Sequence, residues 1–596
     1  MQNLSLHQSA VVEPENCRYR KWRAQLGKMF QPTEPVAAFT DFEEWFTFQY
    51  VSFTSARDVP WGDESEAGQE KHFLGWLFPW ELSKSDNPWV LLQLTKSTNF
   101  WIRQMGVASL ASKLHWEDYK YRGIAQACEP RTTVALARYP SAKDAFFLPP
   151  PRLHDSQRDV LLDLKHQLSQ LPVPNFASSI SYFRTIALDP EIMFQRDPVT
   201  MDMDVITHMY TLPGEDEKKR ERKLTFCLEA VLAYTAVQEY ALQFVENHGL
   251  SVLQRLQQVI TDSWVQIYIA SILANLSQCP SLLDIIVQTG WVYILRQWAA
   301  SEDAFLSLLA LTTLANLDQD WTSHDFFQDM ILIHPTQRNS KPAKADIVFV
   351  HGLRGGAVRT WRQKDNDEGI TSQCWPKDWL AADCPHIRIL SIGYNSSLHR
   401  WGDYCPFEQD KRTLEGRGHE LMKKLKQAGV GSRPIIWVGH SMGGLLIKQI
   451  LALSGEDQES SDLKSNTKGI VMYSVPHHGS AIVDAMMYAK YLLFPSVEVQ
   501  ELLTTSPRLS DLHDQFLNFM TTHSVPLLSF GENAKTAVGR PLPKLLVVPP
   551  GSSDPGFGKF VSLPVNHINT CKPHSENDIS YQLTVAFIKG VIDRLA

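Results

Sequence analysis

Five residues constrain this chain more than any others: Gly439-His440-Ser441-Met442-Gly443, preceded by the apolar run 435–438 and followed by the helical pattern 445–453. A G-x-S-x-G pattern between a strand and a helix predicts a sharp, strained turn that lifts the serine hydroxyl clear of a sheet, beside a helix N-terminus. Glycines on either side of the serine, with Gly444 as a third, allow the tight packing such a turn demands. Ser441 is therefore the candidate nucleophile.

The flanking sequence agrees with that placement. Short apolar runs at 330–333, 347–350, 387–392, 435–438, 470–473, 526–530 and 545–548 are nearly continuous in Ile, Val and Leu. Such runs are expected of strands covered by helices on both faces. With the elbow they predict an α/β fold, an α/β-hydrolase domain over 325–596. A helical insertion around 481–525, with Met486, Met487, Tyr488, Tyr491 and Phe494, is expected to form a cap. Its apolar residues suit either packing on the core or contact with an acyl chain or membrane surface.

A serine hydroxyl needs a base, and the base needs an orienting carboxylate, in chain order serine, acid, histidine. His567, in Pro564-Val565-Asn566-His567-Ile568 after the last expected strand, fits the base. Two carboxylates compete for the acid. Glu532 follows the penultimate strand, where this topology favours it. Asp554 follows 545–548 in Gly551-Ser552-Ser553-Asp554-Pro555-Gly556, which reads equally well as a turn. The oxyanion of a tetrahedral intermediate needs backbone N–H donors. Met442 is one candidate, and Leu353, in the loop His351-Gly352-Leu353-Arg354-Gly355-Gly356, is the other. That loop lacks the GxxxxGK[ST] spacing of a phosphate cradle. His477 and His478 have no partners at metal-ligand spacing and are expected to be structural. No metal and no cofactor is called for.

Upstream the patterning is helical. Gly249 and Gly290 are 41 residues apart, as are Asn275 and Asn316 in the matching Leu-Ala-Asn-Leu motifs. That period predicts an all-α armadillo- or HEAT-like repeat region over 76–320, a surface on which protein partners can bind. Residues 1–75 show little periodicity, and 57–69 reads as a loop. A basic run with Trp22, from Arg18 to Lys28, is expected to be a solvated surface segment.

A net charge of −8 argues against a nucleic-acid binder. The eight cysteines include no CxxC pair, so a reducing compartment without a zinc site or disulfide framework is expected. No run approaches the length of a transmembrane helix, and 305–317, the closest, reads as a buried core helix. No signal peptide is visible.

Several motifs together resemble the serine active site-containing protein family. They are Trp116-Glu117-Asp118-Tyr119-Lys120-Tyr121-Arg122, His351-Gly352-Leu353, Thr360-Trp361-Arg362, Cys374-Trp375-Pro376-Lys377, His440-Ser441-Met442-Gly443-Gly444, Tyr473 to Ser480, and Asn566 to Pro573. The chain is also similar to the inositol deacylase-like lipases. The resemblance implies a serine esterase, lipase or acyltransferase of phospholipid remodelling, with phosphatidylglycerol as substrate class. It further implies mitochondrion–endoplasmic reticulum contact sites and an influence on cholesterol trafficking. A cytoplasmic or peripheral membrane location stays open. Rival readings are a scaffold or lipid-trafficking protein with little turnover, and a soluble ester or thioester hydrolase.

Overall fold

The structure, a computed structural model, describes residues 82–595 apart from 152–158, 173–178, 190–214, 322–324, 339–341, 364–371, 395–412, 456–460, 481–482, 484–496, 505 and 537–543. The expectations for 1–75, and for the apolar stretch 486–494 of the insertion, lie outside the described residues.

Helices occupy the N-terminal part: α1 (Pro88–Thr95), α2 (Phe100–Ala111), α3 (Asp118–Ala127), α4 (Pro130–Ala137), α5 (Val160–Gln170), α6 (Ser179–Leu188), α7 (Glu215–Thr235), α8 (Gln238–Glu246), α9 (Gly249–Val259), α10 (Ser263–Leu276), α11 (Leu283–Gln288), α12 (Trp291–Ala299) and α13 (Ala304–Leu317). Their starts are written locally. Asn87, Asn99 and Asp303 each accept hydrogen bonds from first-turn amides of α1, α2 and α13. The two copies of the 41-residue spacing form two helix pairs, α9–α10 and α12–α13. Asn275 donates to the Leu232 carbonyl at 3.3 Å, and Asn316 to the Phe326 carbonyl at 2.7 Å, so each asparagine ties its helix to a neighbouring segment. The left-handed residue before each pair is His248 in one and Gly290 in the other, one position out of register with the Gly249/Gly290 match. Gly249 stays a glycine for another reason: a Cβ there would lie 2.4 Å from the Phe244 ring.

Helix α13, with residues such as Leu308, Leu309 and Leu314 fully covered, is the buried core helix expected at 305–317. It packs against the edge of the sheet, where the Leu332 amide donates to Thr312 Oγ1 at 3.0 Å. Asp318, just past its end, is wholly buried between two guanidinium groups, Arg138 (3.0 Å) from the helical part and Arg338 from the segment after the first strand. Removing the carboxylate would leave buried Arg138 without its carboxylate and Arg338 with only Asp320, 4.0 Å away. Asp318→Ala is expected to cost about 3–5 kcal/mol in urea denaturation; a loss below about 1 kcal/mol would show that the pair is dispensable.

Among the described residues seven strands follow: β1 (Met330–His334), β2 (Asp346–Val350), β3 (Arg388–Ile392), β4 (Ile435–His440), β5 (Thr467–Tyr473), β6 (Leu527–Glu532) and β7 (Lys559–Leu563), in the order β1-β3-β2-β4-β5-β6-β7. Only β1 runs antiparallel to its neighbour. Helices α14 (Leu414–Gln427), α15 (Met442–Leu453) and α16 (Pro507–His523) share a core with one face of the sheet, and α17 (Ile579–Asp593) packs on the other. This is a mixed α/β sheet covered by helices on both faces. Helix α16 lies within the 481–525 insertion, yet its Leu509, Phe516, Phe519 and Met520 are buried in that core against the sheet-covering layer. That half of the segment is a crossover between β5 and β6 rather than cap.

One expected strand is misplaced. The 545–548 run is not a strand: Leu545 makes an isolated bridge to Thr536, while the Val547 and Val548 amides donate to the Glu532 carboxylate. Pro549 and Pro550 then end the extended stretch. The last strand is instead Lys559–Leu563, a partly exposed edge whose residues are too polar to stand out. Asp554 therefore precedes the final strand. Among the described residues no single helix is long and apolar enough to cross a membrane, and Cys128, Cys227, Cys279, Cys374, Cys384 and Cys571 are free thiols.

Candidate active site

Ser441 sits between β4 and α15 with φ 53° and ψ −126°, a conformation that side-chain-bearing residues rarely hold. The turn is locked on every side. The Ser441 amide donates to the Tyr473 carbonyl of β5 at 2.8 Å, and the Gly444 amide donates back to the Ser441 carbonyl at 3.0 Å. A Cβ on Gly443 would lie 2.1 Å from the Val350 carbonyl oxygen and 2.4 Å from that of His351. Both obstacles are backbone and cannot swing aside. Gly443→Ala is expected to push α15 off β2, costing about 3 kcal/mol in thermal melting. An alanine variant that melts like wild type would refute that account.

Ser441 and His567, far apart in sequence, meet here. His567 Nε2 is 3.0 Å from Ser441 Oγ, and Nδ1 is 2.7 Å from Glu532 Oε2. Glu532, at the end of β6, is fully buried. Its other oxygen accepts the Val547 and Val548 amides, the latter at 3.0 Å, which fixes the carboxylate's rotation. The competing acid is elsewhere engaged: Asp554 is exposed, and its Oδ1 accepts the Gly556 amide at 2.9 Å within its own turn. Of the two carboxylates, only Glu532 reaches the imidazole.

The loop after β2 presses its backbone on the serine. A Cβ on Gly352 would lie 2.7 Å from Ser441 Cβ and 2.9 Å from the His440 carbonyl. Leu353 follows directly, and Met442 opens α15, where first-turn amides lack intrahelical acceptors.

Three residues around this site have roles that no local pattern announces. His351 is buried, and burial pushes its imidazole down to about 4, so it is neutral near pH 7. Its Nε2 accepts the Tyr394 amide at 3.1 Å, which leaves Nδ1 to donate to the Gly352 carbonyl at 2.8 Å. The Tyr394 ring stacks on it at 4.1 Å and donates its hydroxyl to the His351 carbonyl at 2.5 Å. His351 and Tyr394 thus pin the glycine-rich loop. His440, beside the serine, is held well below its ordinary value by burial first and by His567 second. Its Nε2 donates to the His567 carbonyl at 3.1 Å, tying the elbow to the histidine loop. The only sequence hint was the His351-Gly352 and His440-Ser441 adjacency. The His477 ring lies beside that of His513 of α16, at 5.5 Å. Among the described residues no group of His, Cys, Asp or Glu is arranged to hold a metal ion.

A hydroxyl, an imidazole and a buried carboxylate in series, with backbone amides at hand, can activate an oxygen nucleophile and stabilise an oxyanion. Protein SERAC1 of Danio rerio is 40% identical over 521 residues, which cover 85% of this chain and 79% of that protein. The chain belongs to the SERAC1 family. Protein SERAC1 of Homo sapiens is 37% identical over 524 residues, again 85% of this chain and 79% of the relative. The sequence model of the SERAC1 N-terminal domain matches residues 69–150, which include α1 to α4. Among solved structures, the mature Bacillus licheniformis lipase BlEst2 is similar at 17% identity, covering 44% of this chain and 97% of that one with a TM-score of 0.30. Phospholipase PlaB from Legionella pneumophila is similar at 13% identity, covering 42% of this chain and 62% of that one with a TM-score of 0.31.

Proposed function

We propose that this SERAC1 family member is a serine hydrolase of carboxylic esters, with Ser441 as nucleophile, His567 as base and Glu532 as orienting acid. The unbroken run of hydrogen-bond distances from Ser441 Oγ through both ring nitrogens of His567 to Glu532 carries this reading. As Oγ adds to the ester carbonyl, His567 Nε2 takes its proton, and the Leu353 and Met442 amides bind the oxyanion. Collapse of the intermediate expels the alcohol, which His567 protonates. Water then releases the acid; a lysophospholipid hydroxyl in its place gives acyl transfer.

The substrate we favour is a membrane phospholipid, phosphatidylglycerol, in line with the family motifs. Ile568, next to the base, is 51% exposed. An apolar side chain at that rim suits an acyl chain or a membrane surface. Action at mitochondrion–endoplasmic reticulum contacts, with effects on cholesterol trafficking, is the setting that the resemblance to the family implies. The α9–α10 and α12–α13 pairs support an armadillo-like reading of 76–320 as a partner-binding region, ahead of a hydrolase domain over 325–596.

Two measurements test the proposal. A fluorophosphonate probe is expected to label the wild-type protein; no labelling would sink the nucleophile. Phosphatidylglycerol vesicles are expected to be turned over in preference to short soluble esters. Activity confined to soluble esters would retain the hydrolase and remove the lipid.

A further inference from the structure

The sheet face covered by α15 and α16 holds a second polar cluster that shares no residue with the Ser441 chain. Lys448 lies in α15 among Leu445, Leu446, Ile447 and Ile450 and is 1% exposed. Its Nζ is 2.9 Å from His513 Nδ1 on α16 and 5.0 Å from the centre of the Phe516 ring. The His513 ring in turn lies 5.5 Å from that of His477 and 4.6 Å from that of His478, in the turn after β5. His477 is completely buried, and among the described residues neither of its ring nitrogens has a hydrogen-bond partner. The same holds for Ser474 Oγ, three residues earlier, and for Ser529 Oγ on β6. Ser529 pairs with Met472, whose side chain joins the core shared with α15 and α16, so Ser529 faces that same layer.

Buried polar atoms in folded proteins almost always find partners, and a buried ammonium needs a counter-charge. Here the charged neighbours that bear on His477 are Lys448, His513 and His478, all of them bases. Those bearing on His513 are Lys448 and His478. No carboxylate is among them. Among the described residues the cluster is rich in N–H and O–H donors and has no anionic member.

We propose that Lys448, His477 and His513, with the Ser474 and Ser529 hydroxyls, form a buried binding site for a small inorganic anion of the halide class, chloride above all. A metal ion is a poor match, because an ammonium stands where a cation would have to sit and no metal-holding group exists among the described residues. A phosphate is poorly matched too: its charge calls for several cationic donors, typically arginines, and this layer offers a single ammonium. Burial pushes Lys448 down to about 7, so the ammonium carries only part of its charge near neutrality, and an adjacent anion would hold it charged. Because α15 starts at Met442, directly after Ser441, and α16 crosses from β5 to β6, an ion here would brace the helix that follows the elbow. The site stands whether or not Ser441 is a nucleophile.

The test is a thermal melt of the wild-type protein near neutral pH, with chloride or bromide replacing gluconate at constant ionic strength. We expect a saturating rise of about 3 °C by about 0.2 M halide. Lys448→Met should melt cooperatively with no halide dependence. His477→Phe, which keeps the ammonium, should weaken the dependence. Crystals soaked in bromide should show anomalous scattering among Lys448, His477 and His513. A wild-type melt indifferent to halide overturns the site, as does a halide effect that Lys448→Met retains or bromide bound only elsewhere.

Discussion

Ser441→Ala is expected to lower ester turnover by about 10⁴-fold or more and to abolish fluorophosphonate labelling, while the melting temperature stays within about 1 °C of wild type. The hydroxyl is buried and lies 3.0 Å from His567 Nε2, so its removal deletes the nucleophile without leaving a charge or a large cavity. Alanine meets the same backbone strain at φ 53° that serine already bears. The Leu353 and Met442 amides proposed to bind the oxyanion remain, so a residual rate above that of water is expected. Turnover within tenfold of wild type would remove Ser441 from the mechanism.

Glu532→Gln is the second large effect, and its size follows from hydrogen-bond polarity. Glu532 Oε1 accepts two amides, from Val547 and Val548, so in the variant the amide oxygen must take that position. The glutamine NH₂ then faces His567 Nδ1, where the carboxylate Oε2 had accepted at 2.7 Å. A donor at that point favours the imidazole tautomer whose proton sits on Nε2, which cannot accept from Ser441. A loss of about 10⁴-fold in kcat is expected, with KM little changed. Asp554→Asn should stay within about twofold, because an asparagine Oδ1 can accept the Gly556 amide as the aspartate does. The opposite pattern, with Asp554→Asn inactive and Glu532→Gln active, would exchange the two assignments.

The elbow was legible because everything that makes it lies within some twenty consecutive residues: an apolar run, glycines around a serine, then a helical pattern. Strands buried on both faces were legible for a similar reason, since β2 and β4 are covered along their whole length and admit little but apolar residues. Edge strand β7 was not. Its exposed Lys559 and Ser562 carry no apolar signal, whereas 545–548 looks like a strand and spends two of its amides on a carboxylate. The acid stayed open between Glu532 and Asp554 because both follow apolar runs, and proximity to His567, 35 residues beyond Glu532, is a property of the folded chain.

Sequence alone therefore determined the nucleophile candidate, the histidine, the sheet class and the helical half, each encoded in contiguous periodicity or in the chain order of the motifs. Tertiary structure decided what depends on contacts between distant segments. It put a buried carboxylate behind His567, clamped the Gly352 loop with His351 and Tyr394, and tied His440 to the His567 carbonyl. It also brought Lys448 within 2.9 Å of a histidine 65 residues away. An apolar helix that carries one lysine gives no sign of its partner, because hydrogen bonding and charge compensation are settled by packing in space rather than by order along the chain.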